Sequence, residues 1–182
     1  MFSEIDKINW TLLKQAHGDS SHVPKAIKGL VSPNLKDQEV SYWKLDNYVV
    51  LQGDLYQAAF YVIPFLIEIL KSTNFNDRKY VYDLLFEIAN GYAVEEVLCN
   101  YNGKDYPLTE ACKKSIADNF SFFLADVANQ LSDFREDALD LLITLEKNRN
   151  EIVTELQIIK KYEIDSKFSN KLDEAITEIL NS

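Results

Sequence analysis

A stretch near the start of this 182-residue chain comes back forty positions later. Val23-Pro24 aligns with Ile63-Pro64, and the register holds downstream: Leu30 with Leu70, Ser32 with Ser72, Asn34 with Asn74, Asp37 with Asp77, Tyr42 with Tyr82 and Leu45 with Leu85. A third copy follows, because Arg78 with Asp83-Leu84-Leu85 returns 57 positions on as Arg135 with Asp140-Leu141-Leu142. The surplus over a period of 40 is about 17 residues, which the turn-rich stretch 91–108 can supply. A repeat of this length built from two helices cannot bury its apolar face alone, so neighbouring pairs must stack into one core.

The spacing of apolar residues agrees. Almost every segment steps by three and four rather than alternating. Ile5, Ile8, Leu12 and Leu13 predict a first helix ending near Gly18. Ser20 and Ser21 are candidate caps for a short helix with Pro24 in its first turn. A third helix is expected from about 36 to 50, with Val40, Trp43 and Tyr48 among its apolar positions. Tyr56 to Leu70 is apolar nearly all round and reads as the central, buried helix, in which Pro64 marks a kink or the start of the regular part. A helix over about 77–89 carries Val81, Leu84, Leu85 and Ile88. Residues 91–108 read as a loop, and helices resume through Cys112–Leu131, Phe134–Leu145, Ile152–Ile159 and Phe168–Ile179. Five glycines and four prolines are too few for the turns of an all-β chain. The expectation is an all-α fold: a single domain over 1–182, an α-solenoid of HEAT-like antiparallel helix pairs with eight to nine helices. Residues 91–108 would be an insertion between repeats and 149–182 a C-terminal cap.

Tyr42-Trp43-Lys44-Leu45, Leu51-Gln52-Gly53-Asp54-Leu55-Tyr56-Gln57-Ala58 and Ile63-Pro64-Phe65-Leu66 give a more specific likeness. They resemble a family of bacterial HEAT-repeat-like proteins with a tryptophan-leucine helix, a His-Gln-Gly-Thr-x-Tyr-x-Ala turn and a Val-Pro-Phe-Leu helix. Trp10 to Gly18, Val23-Pro24 and the helix from Cys112 to Arg135 are similar as well, so the likeness spans roughly 8–146. Leu51 stands where the family often has His, and Asp54 where it often has Thr, so a site shared at that turn would be altered here. Some members resemble immunity proteins encoded beside polymorphic toxins, which implies a protein-binding, toxin-neutralising role.

Charge narrows the partners. Residues 1–72 carry seven Lys/Arg against eight Asp/Glu, a net −1, and residues 73–182 carry twelve against twenty-one, a net −9. That field opposes nucleic-acid phosphates and anionic lipid; a basic protein partner, or no charged partner at all, fits better, and simple solubility is the competing reading. The longest apolar run, Ala58–Ile67, is too short for a bilayer, and with two cysteines and no secretory pattern the chain reads as cytoplasmic with free thiols. No cofactor is expected. His17 and His22 lie five apart, no Cys-x-x-Cys occurs, and no nucleophile constellation is evident. A small-molecule or modification enzyme on the same scaffold would need a deep pocket with paired carboxylates or an aromatic cage, and a generic scaffold subunit of a larger complex is the other alternative.

Three patches are candidates for partner binding. Gln52, Asp54 and Tyr56 sit in the Gln-Gly turn, where Gly53 permits a positive φ and Asp54 can cap the next helix; a plain interhelical turn is the competing reading. Tyr101, Asp105 and Tyr106 lie in the insertion, where scaffold-held loops often carry recognition; an inert connection is the alternative. Asp133, Glu136 and Asp137, with Asp126 and Asp140, form an acidic run suited to a basic partner or simply solvated. Arg at the start of a repeat's second helix can reach the neighbouring repeat.

Overall fold

The computed structural model describes residues 2–72 and 77–181, and among them helix dominates: nine α-helices and four short strands, an all-α fold. Contacts divide the chain into two units, Met1–Ile116 and Ala117–Ser182.

The first unit opens without a regular helix. Ile5–Lys7 and Trp10–Leu12 are isolated 3-10 turns, although the spacing of Ile5, Ile8, Leu12 and Leu13 predicted a helix. Tertiary bonds decide it: Trp10 Nε1 donates to the Ile5 carbonyl (2.8 Å), and the Lys14 carbonyl accepts from Ala58 N–H (3.0 Å). Leu12 is left exposed. Helix α1 (Val23–Gly29) begins with proline in its first turn, as expected, but its N-cap, His22, makes no side-chain bond; Asp19 accepts from Ser21 N–H and caps the 3-10 turn Ser20–His22 that leads into it. Helix α2 (Leu35–Val49) is capped by Asn34. Its buried stripe is Gln38, Ser41, Leu45 and Val49, while Val40 and Trp43, read from sequence as apolar positions of this helix, point outward. Gln38 can be buried because its amide donates to the Ser32 carbonyl (2.6 Å).

Strand β1 (Asp54–Leu55) leads into α3 (Gln57–Leu70), the central helix predicted from its composition; ten of its fourteen residues are buried. The helix runs through Pro64, whose ring lies on the exposed side. Helix α4 (Lys79–Asn90) buries Val81, Tyr82, Leu84, Leu85 and Ile88. Asn74, the counterpart of Asn34 in the repeat, lies outside the described residues. Strands β2 (Tyr92–Ala93), β3 (Leu98–Tyr101) and β4 (Lys104–Pro107) follow, and α5 (Leu108–Ala117) ends the unit. Helix α1 packs on α2 and α3, and α4 packs on α2 and α3. Several apolar pairs forty apart share their burial: Val23 and Ile63, Leu30 and Leu70, Leu45 and Leu85 are all inside, whereas Tyr42 is half-buried where Tyr82 is buried.

The second unit repeats the pattern with α6 (Phe120–Ala128), α7 (Arg135–Ile143), α8 (Arg149–Lys161) and α9 (Ser166–Asn181). Here α6 packs on α7 and α8, and α9 packs on α7 and α8. The periodicity from Cys112 to Leu131 is broken into α5 and α6, and Leu131 is solvent-exposed. Arg135 is the arginine of the third repeat copy, and it does reach onward. Its Nε donates to the Val127 carbonyl (2.8 Å), its guanidinium pairs with Glu163, and it stacks 3.7 Å from the centroid of Phe168.

Candidate functional site

The Gln-Gly turn and the insertion meet in the first unit. After α2 the chain takes two successive left-handed residues, Gln52 (φ 53°) and Gly53 (φ 87°). Glycine accepts that conformation freely; glutamine carries a strain that the reading from sequence did not foresee. Asp54 then extends. It does not cap α3, as had been expected, because Asp54 and Leu55 pair in parallel with Tyr92 and Ala93 of β2. Tyr56 takes the capping position without a side-chain bond, and its N–H donates to the Val49 carbonyl (3.1 Å). Gly91 makes this pairing fit: a Cβ there would stand 2.6 Å from Leu55 Cγ and 3.0 Å from the Gly53 carbonyl. Lys14 and Glu95 close the same corner as an ion pair. Gln52 and Asp54 are exposed and Tyr56 is half-buried.

Residues 91–108 are not a loop. Their core is an antiparallel hairpin in which Leu98 pairs with Pro107, Cys99 with Tyr106, Asn100 with Asp105 and Tyr101 with Lys104. Asn102 (φ 53°) and Gly103 (φ 80°) form the two-residue turn. The signal was present: Asn-Gly between short alternating segments is the strongest local mark of a hairpin. The Asn100 side chain donates to Asp105 (2.8 Å) and accepts from Gly103 N–H (3.2 Å). At the base, Leu108 N–H donates to the Val97 carbonyl (2.9 Å) and Ala93 N–H to Thr109 Oγ1 (3.0 Å), which ties the hairpin to α5.

Strand alternation sorts the candidates. Cys99, Tyr101 and Tyr106 share one face. Cys99 is buried, Tyr101 sets its edge against Phe60 (6.2 Å, 90°), and Tyr106 lies under the ammonium groups of Lys104 (5.0 Å) and Lys114 (4.9 Å). Both tyrosines are thus half-buried parts of the fold. Leu98, Asn100, Asp105 and Pro107 share the other, outer face. Sequence reasoning missed the apolar residues offered there: Leu98 is 66% exposed, and Tyr92 and Val94 just before it are 75% and 51% exposed. Val94, Glu96, Leu98 and Pro107 line a groove of about 620 Å³.

The third candidate lies in the second unit and is less bare than it reads. Asp126 is buried. Glu136 pairs with Lys171 of α9. Asp140 is pushed above the usual carboxylate range by burial and then by Asp137, with Lys171 opposing. Asp133 is exposed and Asp137 half-buried.

A second patch that the sequence did not reveal spans α2 and α4. Tyr42 stacks on Tyr80 (5.0 Å, 29°) and meets Trp43 edge-on (4.9 Å). Burial raises the Tyr42 hydroxyl, and the carboxylates of Asp46, Asp83 and Glu87 raise it further. Rings stacked at 5.0 Å leave no gap for a cation between them, so this is a platform rather than a cage. Trp43 is exposed on it.

Both cysteines are free and buried, and burial pushes the Cys99 thiol up to about 11 and the Cys112 thiol higher still. Among the described residues no group of three His, Cys, Asp or Glu could hold a metal, and no helix is long and apolar enough to cross a membrane. Comparison with family models, curated proteins and solved structures found no match.

Proposed function

We propose that the chain is a non-catalytic protein-binding module whose partner docks on the outer face of the β3–β4 hairpin. One observation carries this reading: Val94 and Leu98 stand exposed on one groove, with Tyr92 exposed just before it in sequence, on backbone tied down by β1 and α5. Apolar and aromatic side chains held on fixed backbone present contact area without a backbone ordering cost, and such residues are the usual composition of an interface core. Gln52 and Asp54, brought alongside by the β1–β2 pairing, supply a polar rim. The partner is a basic protein, in keeping with the net charge of −10 and the carboxylates around the Tyr42–Trp43 platform. Neutralisation of a toxin domain is the particular form that the resemblance to HEAT-like immunity proteins implies. The stacked helix pairs, with burial shared by several apolar pairs forty apart, support a HEAT-like scaffold.

The test is affinity capture with the tagged chain from a lysate of the organism that encodes it, beside a Tyr92→Ser/Leu98→Ser variant. A partner held stoichiometrically by the wild type and lost by the variant is expected. A partner held equally by both would remove the hairpin from the interface.

A further inference from the structure

The groove between α1 and α2 has a chemistry unlike the rest of this acidic chain. It measures about 480 Å³, within the range of small-ligand sites, and its rim carries His22, Lys25, Lys28 and Lys44. Two anchor points show how the rim is arranged. His22 Nε2 lies 3.1 Å from the Lys44 carbonyl at one end. At the other, a Cβ on Gly29 would stand 2.0 Å from Ser41 Oγ and 3.9 Å from the Asp37 carbonyl. The helices therefore run antiparallel. Lys25 lies on α1 between these anchors, on the stripe 22, 25, 26, 29, and Lys44 lies on the facing stripe 37, 40, 41, 44. Ala26, Gly29 and Ser41 make a floor of small residues beneath them.

Several lysines elsewhere pair with carboxylates: Lys14 with Glu95, Lys147 with Asp118, Lys160 with Asp173 and Lys171 with Glu136. Lys25 and Lys44 have no carboxylate partner among the described residues, and Lys28 reaches Asp6 only at 3.5 Å. The groove does contain one acid, Asp37. It accepts a hydrogen bond from the Ser32 hydroxyl (3.3 Å) in the first turn of α2, where a helix favours negative charge. Three ammonium groups against one carboxylate leave the groove cationic in a chain of net charge −10.

We propose that this groove binds a small ligand bearing a phosphate or diphosphate group, with Lys25 and Lys44 closing on it from the two helices and Lys28 and His22 at its margins. Charge-assisted bonds from ammonium groups suit phosphate oxygens. Within the groove three lysines outweigh the chain's negative field, and its volume suits a compact anion, whereas a nucleic-acid backbone would run on into that field.

The experiment is a ¹⁵N amide titration of the full chain with inorganic pyrophosphate, repeated at higher salt. Saturable shifts are expected at His22, Lys25, Gly29 and Lys44, weakening with salt. In Lys25→Gln/Lys44→Gln the dissociation constant should rise about tenfold or more, consistent with loss of two charge-assisted contacts, and Lys25→Arg/Lys44→Arg should restore binding. Shifts that do not saturate, or equal binding by the glutamine variant, would overturn the proposal. Co-sedimentation with phosphatidylcholine vesicles containing phosphatidic acid separates the sources of the phosphate. Vesicle binding lost in the glutamine variant and competed by pyrophosphate assigns a lipid headgroup, and pyrophosphate binding without vesicle binding assigns a soluble ligand. The Tyr92→Ser/Leu98→Ser change lies outside the groove and should leave every readout unaltered.

Discussion

At the scale of single residues, Arg135 and Glu163 form the pair whose removal should be felt most. Only 10% of the Arg135 side chain and 1% of the Glu163 side chain reach solvent. Arg135→Ala leaves a covered carboxylate without its cation, and a loss of about 3 kcal/mol in urea unfolding is expected. The hydrogen bond from Arg135 holds the Glu163 carboxyl below its ordinary value of 4.5. A lowered folded-state pKa stabilises the protein above that ordinary value, and the contribution fades as pH falls through the folded one. The stability gap between wild type and Glu163→Gln should therefore be wide at pH 7 and narrow steadily toward pH 3; a gap independent of pH would show that the pair is not the cause. Gln52→Gly removes a left-handed glutamine and should be neutral or raise stability by up to about 1 kcal/mol. The Arg135 motif was legible as one register of the repeat. Its partners were not, because Glu163 and Phe168 are 28 and 33 positions away and no local pattern pairs them.

At the scale of elements, the hairpin and α2 show where patterns mislead. A two-residue turn needs left-handed backbone at both positions, and Asn102-Gly103 meets that need. Gly103→Val should unzip the hairpin, seen as fast amide exchange over 98–107 with the helices still protected. Tyr101→Ala should cost about 1 kcal/mol through its lost contact with Phe60, whereas Tyr92→Ser should leave thermal stability nearly unchanged. Equal losses at the two sites would mean that the assignment of faces is wrong. In α2, apolar Val40 and Trp43 lie outside while polar Gln38 and Ser41 lie inside. Hydrophobicity alone could not show this. Ser41 is buried because Gly29 lets α1 approach it and because its hydroxyl donates to the Asp37 carbonyl (2.7 Å). Gly29→Ala should destabilise by about 2 kcal/mol in chemical denaturation, as overpacking at a close helix contact does. The central helix α3 and the amphipathic α4, by contrast, were plain from composition and spacing, since burial on all sides or on one leaves an unambiguous mark.

At the scale of the molecule, the forty-residue offset located two helix pairs of the first unit, and the shifted third copy located α7 in the second. Each unit stacks its pairs first helix on first and second on second. The candidate surface was only half legible. Residues 91–108 stood out as an interruption of the repeat, but which side chains that interruption offers depends on the pleat of a hairpin and on a parallel pairing between β1 and β2. The charge imbalance belongs to this scale too. Association with a basic partner should slow about tenfold or more between low and high salt in stopped-flow mixing, because steering by net charge is screened. A rate indifferent to salt would separate the partner's recognition from that field. The most direct measurement is amide hydrogen exchange of the full chain with and without its captured partner. Binding should protect residues 92–107 together with 52–57, and leave the exposed side of α7 and α9 unchanged. Protection confined to α7 and α9, or a lysate yielding no stoichiometric partner, would contradict a binding module built on the hairpin.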